Sequence, residues 1–212
     1  MGQSYIRIVL GSLLLCLLLF SALTKVQAKS ILILGDSISA GYGMEVEQSW
    51  VSLLEQRLEQ TFPGQHKVIN SSMSGETAAG AINRLPNLLQ SHTPDIVIIE
   101  LGGNDGLRGQ PPPLIERSLD RLVVMSLAAE AETLLFGMKI PSNYGTSYSQ
   151  AFEANFQRVA ERHEIDLLPF FLEGVAGEEV LMQTDGIHPR VEAQPLLLEN
   201  AWPLIEAALQ RD

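Results

Sequence analysis

Cysteine is almost missing from this chain: Cys16 is the only one among 212 residues. It lies inside an N-terminal stretch that reads as a leader, preceded by leucines where a lipid-attachment site needs a small residue. The remainder therefore has no thiol, which excludes a Cys nucleophile, a C-x-x-C redox pair and a zinc–thiolate cluster. No disulfide can staple the fold in an oxidising compartment, so stability must come from the hydrophobic core. Basic residues are also scarce, 14 Lys+Arg against 25 Asp+Glu for a net charge of −11. Loss of the leader, with Arg7 and Lys25, would make the balance two charges more negative. Such acidity excludes nucleic acid and anionic membrane surfaces as partners, because their phosphates attract the opposite sign. The G-x-S-x-G elbow, the P-loop, H-E-x-x-H and a G-x-G-x-x-G after the first strand are all lacking. Neither a metal nor a nucleotide cofactor is indicated, and the expected cofactor list is empty.

What the N-terminus does have is Arg7, an apolar run from Ile8 to Phe20, and "VQA" before Lys29. A charged start, a short apolar core and a small-residue cleavage site make a secretory signal peptide, expected to span 1–28 and to be removed after Ala28. A membrane span needs about 20 apolar residues, and here Ser21 and Thr24 already dilute the run. A retained anchor is the alternative. Lys29–Asp212 is then one domain by length, expected to be periplasmic or secreted and to work as a monomer.

Along that domain, short apolar runs alternate with stretches of helical spacing. "ILIL" (Ile31–Leu34), "KVINSS" (Lys67–Ser72), "DIVIIEL" (Asp95–Leu101), "ETLLFGM" (Glu132–Met138) and "DLLPF" (Asp166–Phe170) read as five strands. Helices are expected around Trp50–Leu58, over Thr77–Gln90 with Pro86 kinking or dividing it, over Leu114–Ala131 with Pro113 in the first turn, and over Ser147–Arg162 and Gln194–Leu209. Strict alternation implies an α/β fold with a central parallel sheet between helix layers. In such sheets ligands bind beyond the carboxyl ends of the strands. The segments there are "GDS", "SMSGET", "GGND" and "MKIPSNYG".

Ser37, at the end of the first strand, can be a turn residue or a nucleophile. A serine hydroxyl attacks only when a neutral imidazole takes its proton, and that imidazole works better when a carboxylate fixes its tautomer. Of four histidines, His66, His92 and His163 read as solvated surface residues. His188 sits in "DGIHP", where Pro189 biases it away from helical geometry and Asp185 is three residues upstream. The alternative for this loop is a cap on the last helix. An oxyanion hole needs donors, each worth about 2.7–4 kcal/mol of barrier lowering; the candidates are the N–H of Ser37, the N–H of Gly75 and the side-chain amide of Asn104. Gly75 can equally be a plain turn glycine.

Four separated stretches, "GDS" at Gly35–Ser37, "SGET" at Ser74–Thr77, "GGND" at Gly102–Asp105 and "DGIHP" at Asp185–Pro189, resemble in order and spacing the signature blocks of the SGNH (GDSL) hydrolases. Further stretches such as "GDSISAGYGM", "ELGGNDGLRG" and "DGIHPRVEAQP" look like the exported bacterial thioesterase/lysophospholipase/arylesterase branch. The resemblance implies a flavodoxin-like three-layer α/β/α sandwich with about five parallel strands. It also implies hydrolysis of small-molecule esters and thioesters (acyl-CoA thioesters, lysophospholipids, aryl esters) through an acyl-enzyme. Ser37, Asp185 and His188 would be catalytic, and Ser37, Gly75 and Asn104 would form the oxyanion hole. The first block reads Gly-Asp-Ser-Ile rather than Gly-Asp-Ser-Leu, a change of one branched aliphatic beyond the nucleophile. The loops at Leu107–Pro113 and Ile140–Ser147 would line the acyl site through Leu107, Ile140 and Tyr144. The alternatives are a carbohydrate O-acetylesterase on the same scaffold and a non-catalytic acyl- or lipid-binding module.

Overall fold

The structure, a computed structural model, describes residues 28–211. The expected leader lies outside the described residues except for Ala28. Five strands form one parallel sheet in the order β2-β1-β3-β4-β5: β1 Ser30–Gly35, β2 Lys67–Asn70, β3 Ile96–Glu100, β4 Glu132–Phe136 and β5 Asp166–Leu168. Every residue of β3 is buried, and β1 and β4 are less than fully buried only at their first residue, whereas of the edge strands β5 is half-buried throughout and β2 is exposed at both ends. This is why the central strands read as unbroken aliphatic runs: covered on both faces, they have no side on which a polar residue would be solvated.

The main helices are α1 Trp50–Thr61, α2 Ala78–His92, α4 Pro112–Ala128, α5 Thr146–His163 and α6 Gln194–Gln210, with a short α3 at Gly103–Leu107. Helix α1 packs on α6, while α2 packs on α4 and α4 on α5. Right-handed crossovers that lead one way from β1 to β2 and the other way from β2 to β3 put these two groups on opposite faces. Trp50 is fully buried on the α1 side, with ring centroids 5.1 Å from Phe171 and 6.1 Å from Phe136. Among the described residues no helix is long and apolar enough to cross a membrane.

Of the two outcomes expected at Pro86, division of the helix does not occur: α2 runs unbroken from Ala78 to His92. The proline sits on the exposed face, one residue from buried Leu85, so its ring points to solvent and the apolar stripe stays intact. "GGND" runs into a short helix: Gly103 opens α3 after Gly102, the N-cap at φ 108°. That φ belongs to the left-handed region, and a Cβ on Gly102 would also press to 3.2 Å from Phe156; only glycine meets both demands.

Candidate active site

The chain order of the sheet reverses at β1, which has β2 on one side and β3 on the other. A crevice opens outside the carboxyl ends of strands at such a switch point. Ser37 follows β1 there and Asn104 follows β3. The chain folds back immediately after β1: Asp36 Oδ1 accepts the Ile38 N–H at 3.0 Å, Asp36 O accepts the Ala40 N–H at 2.9 Å, and Ser37 O accepts the Tyr42 N–H at 3.0 Å. The turn leaves the Ser37 N–H without an acceptor among the described residues.

Ser37 Oγ lies 2.8 Å from His188 Nε2, and His188 Nδ1 lies 2.7 Å from Asp185 Oδ2. The local sequence builds the second half of this relay. Asp185 Oδ1 accepts the N–H groups of Ile187 at 2.9 Å and His188 at 3.0 Å, an Asx turn that Gly186 permits at φ 67°. Burial raises the Asp185 carboxyl, but the backbone and ring donors of His188 and the N–H of Ile187 together outweigh it and hold it at about 2. It is therefore an anion able to stabilise an imidazolium. The loop is tied to the Ser37 turn, since Gln183 Nε2 donates to Tyr42 O at 2.9 Å and the Tyr42 and His188 rings lie 4.3 Å apart.

Asn104 donates through Nδ2 to Asp36 Oδ2 at 3.0 Å. An amide nitrogen carries two hydrogens, so one remains for another acceptor. Burial pushes the Asp36 carboxyl up to about 6, against the Ile38 N–H, the Asn104 amide and the charge of His188. Gly75 takes φ 78°, its N–H has no acceptor among the described residues, and its carbonyl accepts the Arg108 guanidinium at 2.9 Å. Its loop is pinned to the end of β1 by Met73 N–H to Gly35 O at 3.1 Å.

A cavity of about 540 Å³ opens at Ser37 and His188. Of the residues singled out in the sequence, Ser37, Asn104, Leu107, Ile140 and His188 line it; Asp185 stands behind His188, and Gly75 is not part of the wall. Tyr144 does not line it either. Its hydroxyl donates to Leu107 O at 2.7 Å and its ring stacks on Tyr148, so it braces the Leu107 loop from outside. The wall also takes Phe170, Leu172, Ala176 and Met182, from a segment that carried no loop signature beyond the apolar "LPFFLE". His66 and His163 are not solvated as expected. His66 Nδ1 accepts the Lys29 N–H at 3.2 Å and His163 Nε2 lies 2.8 Å from Asp120, leaving only His92 exposed. Among the described residues no group of three or more His, Cys, Asp or Glu could hold a metal ion.

Residues 33–194 match the model of the GDSL-like lipase/acylhydrolase family. The chain is 45% identical over 194 residues to an esterase, TesA, of Pseudomonas aeruginosa, spanning 92% of this chain and 96% of that protein. It is 43% identical over 187 residues to the thioesterase 1/protease 1/lysophospholipase L1 of Escherichia coli K12, spanning 88% and 86%. The crystal structure of TesA superposes with a TM-score of 0.82 at 46% identity, covering 85% of this chain and 99% of that one. A psychrotrophic esterase, EstA, of Pseudoalteromonas sp., solved with monoethylphosphonate as inhibitor, gives 0.82 at 42% identity, covering 86% and 100%. With an α/β sheet of the same kind and a serine, a histidine and an aspartate in register at its switch point, this chain belongs to the GDSL-like lipase/acylhydrolase family of serine hydrolases.

Proposed function

We propose that the chain hydrolyses carboxylic esters and thioesters of acyl chains, with Ser37 as nucleophile, His188 as general base and acid, and Asp185 as its orienting anion. The observation that carries this reading is the unbroken line Asp185–His188–Ser37, at 2.7 and 2.8 Å, ending on an apolar cavity. Ser37 Oγ attacks the acyl carbonyl while its proton passes to Nε2, and the imidazolium is stabilised by Asp185. The carbonyl oxygen becomes an oxyanion facing the N–H of Ser37 and the free hydrogen of Asn104, with the unpaired N–H of Gly75, just outside the cavity wall, as the third donor of this reading. Nε2–H then protonates the departing alcohol or thiol. Water, deprotonated by the same nitrogen, releases the acid and restores Ser37.

The apolar wall of Ile38, Leu107, Ile140, Leu172 and Met182 fits an acyl chain of more than two carbons better than an acetyl group on a sugar. Arylesterase, thioesterase and lysophospholipase are the names carried by relatives, and the substrate class proposed here spans all three. A monomer is the working unit in this reading. Export with cleavage after Ala28 completes it, supported by the leader composition. A panel of p-nitrophenyl esters of graded length, an acyl-CoA, a lysophospholipid and acetylated sugars tests the substrate class. Preference for acetylated sugars overturns it. A fluorophosphonate labels the wild type once and leaves Ser37→Ala unlabelled; undiminished labelling of the variant removes Ser37 from the role.

A further inference from the structure

Beneath the nucleophile turn lies a carboxyl that the relay does not use. Glu100 is the last residue of β3, in register with Gly35 of β1, and it is fully buried. Its Oε2 accepts the Ser39 hydroxyl at 2.6 Å, and the Asp36 N–H points to the same oxygen at 3.4 Å. One carboxyl oxygen thus holds the residue before Ser37 and the residue two after it. Ser39 is itself fixed by Trp50 Nε1 at 3.2 Å, so the contact is continuous with the aromatic core. Glu100 Oε1 has no hydrogen-bond partner among the described residues, and neither has the nearby buried hydroxyl of Ser72. The space is closed from above, because a Cβ on Gly35 would meet Glu100 Oε2 at 2.7 Å and Ser72 Oγ at 2.8 Å.

We propose that Glu100 is a positioning residue that works as a neutral carboxylic acid, clamping the turn on both sides of Ser37 and leaving Asp36 as the charged member of the pair. This rests on the reading of Ser37 as nucleophile. Two buried carboxyls share the Asp36 backbone, and among the described residues no Lys, Arg or His side chain lies within salt-bridge distance of either. Asp36 has compensation for a charge, from the Ile38 N–H, the Asn104 amide and the field of His188, with Asp105 opposing. Glu100 has the Ser39 hydroxyl and backbone N–H and the distant Asp36 N–H, but no cation, and its other oxygen is reached by no donor. When like charges crowd one site, the less compensated group keeps its proton; burial and the Asp36 charge both push Glu100 the same way. A second anion there would repel the negative charge that develops on the substrate above Ser37.

Two measurements on the full mature chain test this. Carbon-detected NMR of glutamate-labelled wild type, assigned through bonds, reads the Glu100 carboxyl directly. It should stay at the protonated shift at neutral pH while the exposed glutamates have titrated, and titration alongside them overturns the proposal. The readout needs neither a variant nor activity, so it stands apart from the fluorophosphonate test of Ser37. For positioning, Glu100→Gln, a neutral acceptor of the same shape, should keep kcat within about twofold of wild type, whereas folded Glu100→Leu should lose about tenfold or more in kcat with KM little changed. A folded Glu100→Gln as poor as Glu100→Leu means the charge is what matters, and a fully active Glu100→Leu means the clamp does nothing; either result overturns the assignment.

Discussion

Asn104 Nδ2 donates to Asp36 Oδ2 at 3.0 Å across the β1/β3 switch point. One hydrogen of the amide is committed to a buried anion, which fixes the plane of the group and directs the other hydrogen. A donor held this way needs no reorganisation when the substrate oxygen becomes charged, which is the condition for strong oxyanion stabilisation.

Asn104→Ala should therefore lower kcat by about 10²–10³ with KM little changed. Asn104→Asp should be at least as damaging, since it sets a second carboxylate against Asp36 and against the developing charge. Steady-state kinetics and melting temperature of both variants check this; a folded, nearly fully active Asn104→Asp enzyme rules out the oxyanion role.

Asp185→Asn should reduce kcat by about 10³–10⁴, because an amide NH₂ facing Nδ1 favours the wrong imidazole tautomer. The Asx turn can still form through the amide oxygen, so folding should be spared. A circular dichroism spectrum and melting temperature near wild type, together with the loss of rate, separate chemistry from unfolding.

The stability of the protein should respond to acid with two opposed contributions. Asp185, held at about 2, stabilises the fold above its unfolded value near 3.8, and that stability is lost as pH falls toward about 2. Asp36, raised to about 6, contributes in the other direction: its stability is full below 3.8 and is lost as pH rises through about 6. Asp36→Asn should thus gain melting temperature relative to wild type between roughly pH 4 and 6. A difference that stays flat across that window contradicts the raised Asp36 carboxyl.

Asp105 accepts the N–H of Ala78 at 2.8 Å, linking the block after β3 to the first turn of α2 and so to the loop that carries Gly75. An anion at a helix N-terminus is favourable, although burial still raises the Asp105 carboxyl, with the Ala78 N–H opposing. Asp105→Ala should destabilise the fold by about 1–3 kcal/mol by leaving a buried donor unpaired and should lower kcat as well. Thermal unfolding and kinetics measured together check it, and an unchanged melting temperature refutes the capping role.

Gly35→Ala should be among the most damaging single-methyl changes in the chain. The added Cβ would meet Glu100 Oε2 at 2.7 Å and Ser39 Cβ at 2.8 Å, on two buried side chains held together by a hydrogen bond, so the turn itself must shift. Reduced fluorophosphonate labelling at a lowered melting temperature is the expected signature.

The sequence by itself determined the order of elements and the chemistry of the relay. Unbroken aliphatic runs mark strands covered on both faces, and alternation with helical spacing dictates parallel crossovers, so "GDS" and "GGND" had to emerge on one edge of the sheet. Asp185 and His188 were legible for a local reason: three residues and a glycine suffice for an Asx turn that seats the carboxylate on the ring. Contacts without a local signature were decided only by tertiary structure. Nothing near Asn104 announces Asp36 as its anchor, nothing near Asp105 announces the first turn of α2, and Glu100 reads as the polar end of a strand until β1 lies against it. The cavity wall was half-visible for the same reason, since Leu107 and Ile140 follow strands while Leu172 and Met182 reach the site from beyond β5. Tyr144, from a loop beside it, was turned away by a hydrogen bond to Leu107. Periodicity and short turns are properties of neighbours along the chain. Burial, proton affinity and the shape of a pocket depend on which distant residues the packed sheet brings within a few ångströms.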